Sequence, residues 1–185
     1  MHPDPLILAT LPADAANVAA LATQVFLHTY APEGVSSAIS GHVMETSTPA
    51  RFSALIADPM ATVWVAELHA HLIGFAVVMI NTPCPDEPRS TVELTTLYVQ
   101  EHFIGKGVGS ALLARATAFA AEQTSAPLWL TVNAANAPAI AFYARRGLRQ
   151  IGVAWFQLGD AKHENQVLIG ALAALPAAAQ VSSNS

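Results

Sequence analysis

The sequence predicts a single α/β domain. Three observations favour that class: 185 residues give room for one domain, strand and helix patterns alternate along the chain, and a glycine-rich turn joins a strand to a helix in the second half. With 53% hydrophobic and 11% charged residues, the composition excludes a mainly disordered chain.

Apolar spacing defines the elements of the first half. They are a short strand over residues 6–10, a helix that opens at Asp14, a second helical region over residues 42–56 that Pro49 interrupts, and a hairpin of apolar strands over residues 62–68 and 72–80. The tripeptide His69-Ala70-His71 is the predicted turn of the hairpin. Residues 81–89 contain several prolines and are predicted to form a loop.

The second half alternates in the same way. A strand over residues 92–99 leads through the turn Ile104-Gly105-Lys106-Gly107-Val108-Gly109 into a helix, and then come a strand over 128–132, a helix over 136–146, and strands over 148–158 and 166–169. Asn136 is a favourable N-cap, Pro138 lies in the first helical turn, and Gly147 ends the helix. We therefore expect a domain over residues 6–170, with residues 1–5 as an extension and residues 171–185 as a flexible tail rich in Ala, Pro and Ser.

Charge and apolar runs exclude two classes of partner. The formal net charge is −5 and the eight Lys and Arg residues form no basic stripe, so nucleic-acid binding is not expected. The apolar run over residues 72–80 is far shorter than the about 20 residues that a membrane-spanning helix needs. The N-terminus has no secretory signal, and Cys84, as the single cysteine, can form no internal disulfide, so a cytoplasmic location is expected. His69 and His71 have no third ligand near them in sequence, so no metal site is expected.

The glycine-rich turn is the first functional candidate. Its glycines let backbone N–H groups point into one concavity, and the N-terminus of the following helix adds a positive partial charge, which suits a phosphate. The Walker A spacing is absent, and the pattern Gly-x-Gly-x-x-Gly fails at Ser110. On the turn alone, a phosphate ligand and a tight connection without a ligand are equally open.

A second motif favours the ligand. The stretch Asn136-Ala-Pro-Ala-Ile-Ala-Phe-Tyr-Ala-Arg-Arg-Gly-Leu148 and the turn before it resemble the two signatures of the GCN5-related N-acetyltransferase (GNAT) superfamily, in order and at the usual separation. The resemblance covers residues 6–170 and implies a twisted, mixed and mostly antiparallel sheet of about seven strands flanked by about four helices. It also implies acetyl transfer from acetyl-CoA to an amine, without a metal.

The resemblance gives individual residues a role. Glu93 is the candidate general base, and Tyr143 is the candidate acid that protonates the departing thiolate. The residues expected to bind acetyl-CoA are Leu97, Tyr98 and Val99 through their backbone, Ile104, Gly105, Lys106, Gly107, Val108, Gly109 and Ser110 in the turn, and Asn136, Tyr143 and Arg146 on the second helix. The residues expected to bind the substrate are Phe26, Tyr30 and Glu33. Structural alternatives remain: a solvated carboxylate for Glu93, a core aromatic for Tyr143, an N-cap for Asn136, and for Arg146 a cation favoured by the helix dipole.

The acceptor and the partners are less well defined by the sequence. Residues 26–30, 92–99 and 129–132 and Gly159-Asp160 resemble the bacterial spermidine/spermine N-acetyltransferase branch, which implies a small amine substrate such as a polyamine. The alternatives are a protein N-terminus, an aminoglycoside-like amine, or a CoA-binding regulator that is not an enzyme. Ile104 replaces the Gln or Arg that usually starts the turn, and Asn165 stands where the closing strand usually carries an acid. The charge-free stretch from Asn165 to Ser185 suggests a surface covered by a second subunit, so a homodimer is expected.

Overall fold

Seven strands and five α-helices alternate along residues 5–171, the part of the chain that the computed structural model describes. The strands are β1 (Leu6–Ala9), β2 (Ala61–Leu68), β3 (His71–Ile80), β4 (Val92–Val99), β5 (Trp129–Asn133), β6 (Arg149–Leu158) and β7 (Ala161–Ile169). The helices are α1 (Ala15–Tyr30), α2 (Ser37–Thr46), α3 (Pro49–Ala57), α4 (Val108–Gln123) and α5 (Ala137–Ala144). The predicted α/β class is confirmed, with one helix more than expected.

All of these strands form one sheet, in the order β1-β2-β3-β4-β5-β7-β6. Neighbouring strands are antiparallel except β4 and β5, which are parallel. Among the described residues, β4 and β5 pair at a single position, Glu93 with Trp129. Beyond that position the two strands part toward their carboxyl ends, which leaves a cleft in the middle of the sheet.

Helices cover the sheet on both faces. Because side chains alternate along a strand, Phe75 and Val77 of β3 pack against α1 and α3, whereas Ala76 and Val78 pack in the core that includes α4. The cleft between β4 and β5 therefore opens between two helical layers, and residues from either layer can reach it.

The ends of α5 follow from short-range signals that the sequence contains. The Ala139 N–H donates to Asn136 Oδ1 at 3.1 Å, so Asn136 caps the helix as predicted. Pro138 lies in the first turn, where a missing N–H removes no helical hydrogen bond. Gly147 follows the helix with a φ of 81°, a left-handed conformation that glycine adopts without strain.

The helical region predicted over residues 42–56, with an interruption at Pro49, consists of two helices: α2 begins earlier than predicted, at Ser37, and α3 begins at Pro49 itself. The Arg51 N–H donates to Thr48 Oγ1 at 3.2 Å, and Pro49 occupies the first turn of α3. The proline that was expected to interrupt one helix therefore marks the boundary between α2 and α3.

Strand β7 is longer than the strand predicted over residues 166–169. Its first half includes the exposed residues Lys162 and Glu164, so pairing with β6 forms this part of the strand where an apolar pattern is missing. Residues 167–169 are buried in the domain's own core, which accounts for part of the charge-free stretch that suggested a second subunit. The predicted extension and tail lie, apart from one residue each, outside the described residues. Within residues 5–171, no helix combines the length and apolarity needed to cross a bilayer.

Candidate active site

The cleft exposes part of the β4 backbone. The Gln100 N–H donates to Ile73 O of β3 at 2.9 Å. Successive backbone groups of a strand point to opposite sides, so Tyr98 also directs its N–H toward β3, whereas Leu97 and Val99 direct theirs toward the side from which β5 has parted. Of the three residues predicted to bind acetyl-CoA through their backbone, Leu97 and Val99 face the cleft, and the backbone of Tyr98 is turned away.

The glycine-rich turn leaves open space around its backbone at the N-terminus of α4. Gly105 and Gly107 have φ of 79° and 88°, and a Cβ atom on either would meet no other atom within 4 Å. Gly107 is the N-cap, and among the described residues no side chain caps this end. The N–H groups of the first turn have no partner within the helix, because the first bond runs from Ala111 N to Gly107 O at 3.0 Å. Open space, free N–H groups and the positive end of a helix together fit a phosphate.

Two cations lie near the glycine-rich turn. Lys106 Nζ is 5.3 Å from the centroid of the Phe103 ring, in a cation–π contact. The Arg146 guanidinium stacks on the Phe142 ring at 3.8 Å and donates to Ser110 Oγ, with Nε at 3.1 Å. Arg146 therefore reaches from the second sequence motif to the turn of the first, where its charge can neutralise a bound phosphate.

The other turn residues differ in what they can offer. Val108 is 2% exposed and packs beneath the turn, where a Cβ on Gly74 would approach its Cγ1 to 3.1 Å, so Val108 offers only its backbone. A Cβ on Gly109 would lie 3.3 Å from the Phe142 ring, so this glycine allows α4 and α5 to pack closely. Ile104 is 63% exposed and presents an apolar side chain, which adds no charge to the site.

Glu93 lies at the narrow end of the cleft. Its register partner is Trp129, whose Nε1 donates to Thr82 O at 2.9 Å. The Glu93 side chain is half-buried, and burial raises the pKa of its carboxyl above the ordinary value. A carboxylate with a raised pKa is a stronger base at neutral pH, and partial burial argues against the alternative of a fully solvated strand-edge carboxylate.

Three tyrosines lie near enough to one another to affect each other's ionisation. The chain has three, Tyr30 on α1, Tyr98 on β4 and Tyr143 on α5. Burial raises the pKa of both Tyr98 and Tyr143; nearby Tyr30 raises both further, and Tyr143 also acts on Tyr98. The sequence did not predict this cluster, because each tyrosine comes from a different element and no local pattern connects them.

Tyr143 combines a structural position with access to the cleft. Its ring is 8% exposed and packs in the main core, as the structural alternative requires. No hydrogen bond of its hydroxyl occurs within the part of the chain that the structure describes. The raised pKa keeps the proton on the hydroxyl, as an acid requires.

Asn136 connects the two helical layers. Burial raises the pKa of Tyr30, and a hydrogen bond with the Asn136 side chain opposes that effect. The same side chain caps α5 through the Ala139 N–H. Asn136 thus caps α5 and lies next to Tyr30 of α1.

An open cavity of about 630 Å³ lies beside Tyr30, between α1 and α2. Its wall includes the exposed residue Glu33, whose carboxylate suits a cationic amine. The residues that line it are Tyr30, Ala31, Pro32, Glu33, Gly34, Val35, Ser36 and Ile39. The structure thus brings two of the three predicted substrate residues, Tyr30 and Glu33, to one cavity.

The third predicted substrate residue, Phe26, supports this region from within. It is 6% exposed, with its ring centroid 4.8 Å from Tyr30 and 4.6 Å from His42. His42 in turn contacts Phe156 of β6 edge-on at 5.8 Å, and burial lowers its pKa while Glu45 raises it. The sequence missed His42 and Phe156, because α2 and β6 meet only through the tertiary fold.

Comparison with known proteins agrees with this geometry. A model of the acetyltransferase (GNAT) family matches residues 32–148. The chain belongs to the GNAT family of acetyltransferases. An uncharacterized N-acetyltransferase of Mycobacterium tuberculosis is 30% identical over 156 residues, which cover 84% of this chain and 96% of that protein. A streptothricin acetyltransferase of Streptomyces lavendulae is 38% identical over 82 residues, 44% of this chain and 41% of that protein.

The GNAT fold is also shared with solved structures. The PaiA N-acetyltransferase of Thermoplasma acidophilum, solved in complex with coenzyme A, superposes with a TM-score of 0.74 at 18% identity, over 91% of this chain and 99% of that chain. As a GNAT enzyme, the protein is an acyltransferase that uses acetyl-CoA to acetylate an amine. That cosubstrate fits the open turn at Gly105 and Gly107 and the β4 backbone exposed at Leu97 and Val99. Within residues 5–171, no group of three or more His, Cys, Asp or Glu residues could hold a metal ion.

The narrower resemblance to the spermidine/spermine branch of the GNAT superfamily is not confirmed. The relatives include N-acetyltransferases without a stated substrate and a streptothricin acetyltransferase. The family membership therefore identifies the reaction class but not the acceptor amine.

Proposed function

We propose that this GNAT enzyme acetylates the amine of a small molecule by direct attack in a ternary complex. The observation that carries the proposal is the half-buried Glu93 carboxyl, with its raised pKa, at the point where β4 and β5 part. A primary amine has a pKa of about 10 and is protonated at neutral pH, so it must lose a proton before it attacks. Glu93 is the group that accepts this proton, directly or through a water molecule.

Residues around the cleft supply the remaining functions. Acetyl-CoA supplies the thioester, and transfer forms a bond from the amine nitrogen to the acetyl carbon while the carbon–sulfur bond breaks. The Tyr143 hydroxyl donates its proton to the departing thiolate sulfur. The N–H groups of Leu97 and Val99 hold the pantetheine arm and polarise the acetyl carbonyl. The turn at Gly105 and Gly107, together with Arg146, binds phosphate groups.

The acceptor side favours a small cationic molecule. A cavity of about 630 Å³ has the size of an ordinary small-molecule site, and Glu33 places a carboxylate in its wall. The formal net charge of −5 also favours a cation. A streptothricin-type amine is supported by the relative from Streptomyces lavendulae, and a polyamine by the sequence resemblance.

The experiment is a thiol-release assay with acetyl-CoA against streptothricin, spermidine, an aminoglycoside and a peptide with a free N-terminus. We expect turnover with at least one of the small amines and a large loss of it in Glu93→Gln. Turnover with the peptide alone would overturn the small-molecule acceptor. Binding of acetyl-CoA without turnover of any acceptor would instead favour a CoA-binding regulator.

We further infer that residues 6–170 form the complete catalytic domain and that the protein works in the cytoplasm. Cys84 is buried against Trp129 and is the single cysteine, so the fold depends on no disulfide within the chain. Such a fold is suited to a reducing compartment.

A further inference from the structure

Strand β6 has an open edge that the proposed reaction does not use. It is the last strand of the sheet and spans ten residues, so among the described residues one side of its backbone has no neighbouring strand. An open edge presents a row of N–H and C=O groups that can pair with another strand. The other edge strand, β1, spans four residues and offers far fewer such groups.

The sequence of β6 lacks the features that usually protect an edge. Proteins block edge pairing with prolines or charged side chains, with lysine the most common. Residues 150–158 contain neither a proline nor an ionisable side chain. The edge is therefore open to pairing along almost its whole length.

One face of β6 is also apolar and exposed. Val153 is 48% and Trp155 65% exposed. Their register partners on β7 are Gln166 and Glu164, whose polar side chains leave the two apolar groups uncovered. Among the described residues, α2 approaches β6 from the opposite face, where His42 contacts Phe156.

We propose that β6 pairs antiparallel with β6 of a second copy of this chain, about a two-fold axis near Ala154. A strand paired antiparallel with itself is self-complementary, which a two-fold interface requires. Val153 of one copy then lies opposite Trp155 of the other, and the pair occurs twice. Cross-strand pairs of an aromatic and a β-branched residue stabilise a sheet.

The charges at the ends of β6 favour a second copy over an unrelated strand. Arg149 begins the strand, and Asp160 follows its end. Antiparallel pairing brings the start of one copy beside the end of the other, so opposite charges approach at both ends of the interface. Two seven-stranded sheets then form one continuous sheet. The homodimer expected from the sequence thereby acquires an interface on β6.

The oligomeric state of the full chain tests this pairing. Sedimentation velocity is expected to give twice the monomer mass of 19.4 kDa. Trp155→Lys places a cation opposite Val153 in each pair. It is expected to raise the dissociation constant of the dimer by at least 100-fold, so that the variant sediments as a monomer. Leu6→Lys is the matched control, since Leu6 is 61% exposed on the opposite edge strand, and it is expected to remain dimeric. Circular dichroism melts verify that both variants fold.

A cysteine variant tests the alignment itself. Ala154 is half-buried and packs against the cluster that contains Cys84, so Ala154→Cys is made together with Cys84→Ala. The two copies of the new cysteine are then expected to form a disulfide across the two-fold axis on mild oxidation. A monomeric wild-type chain, a Trp155→Lys variant that stays dimeric, or a Leu6→Lys variant that dissociates would each overturn the proposal. A dimeric Ala154→Cys variant that forms no disulfide would overturn the antiparallel alignment about Ala154.

Discussion

Glu93 of β4 and Trp129 of β5 form the one register pair, among the described residues, between these two parallel strands. The pair fixes where the cleft begins. The Trp129 indole N–H is engaged by Thr82 O. The candidate base therefore lies where the cleft begins, at a position where burial raises the pKa of its carboxyl.

As the pH is lowered, acetylation is expected to decline at a higher pH than it would if the base were a carboxylate with an ordinary pKa. The base must be ionised, and the pKa of Glu93 is raised by burial. Activity should therefore decline as the pH falls through a value above the about 4.3 of an unperturbed glutamate. The measurement is kcat/KM against pH with a saturating amount of acetyl-CoA. An acidic limb near the unperturbed value would show that Glu93 is not the group that titrates.

Glu93→Gln is expected to stabilise the fold near neutral pH. The folded-state pKa lies above the unfolded value, so the charged carboxyl destabilises the folded protein at pH above that pKa, and stability rises as the pH falls through it. The amide carries no charge and removes this penalty. The melting temperature of the variant should exceed that of the wild type at pH 8, and the two should approach each other near pH 4. A lower melting temperature at pH 8 would contradict the account.

Tyr143→Phe is expected to lower kcat by about 10-fold or more while leaving the affinity for acetyl-CoA nearly unchanged, because it removes the acid alone. The phenyl ring still fills the core position, where Tyr143 is 8% exposed, so the melting temperature should change little. Steady-state kinetics and calorimetric titration with CoA separate the two effects. An unchanged kcat with every acceptor would remove Tyr143 from the acid role.

Gly107→Ala is expected to lower the affinity for acetyl-CoA and to destabilise the fold by about 1–2 kcal/mol, because alanine is strained at positive φ. No atom lies within 4 Å of the added Cβ, so the strain arises in the turn backbone, which is proposed to bind the phosphates. Gly34→Ala is the control, since Gly34 also has a positive φ and open space around it, but lies in the cavity on the acceptor side. Equal loss of affinity for acetyl-CoA in both variants would argue against phosphate binding by the turn at Gly107. Urea unfolding and CoA titration provide the two measurements.

Local signals in the sequence predicted much of the fold. Asn136 and Pro138 mark the start of α5 where the structure has it, whereas the helix ends at Ala144, two residues before the end predicted from Gly147. The hairpin of β2 and β3 follows from two apolar runs. Strand β7 was predicted too short, because pairing with β6, rather than an apolar pattern, forms its first half. Pro49 was predicted to interrupt a helical region. A proline in a helical pattern can also occupy the first turn of a new helix, as Pro49 does in α3.

The site was predictable where motifs are contiguous and not where the fold assembles it. The turn around Gly107 is one such motif, and the open space around its glycines agrees with the expectation from their spacing. The approach of Arg146 to Ser110, the convergence of the tyrosines and the contact between His42 and Phe156 join residues far apart in the chain. Such contacts depend on how helices pack across the sheet, which one sequence does not specify residue by residue.

Whether Glu93 is the base is tested most directly by the rate of amine-dependent thiol release by wild-type protein and by Glu93→Gln, with the affinity for acetyl-CoA measured on both. We predict a loss of about 100-fold or more in kcat/KM for the acceptor, with affinity for acetyl-CoA within a factor of two of the wild type. A variant as active as the wild type at neutral pH would contradict the assignment of Glu93 as the base.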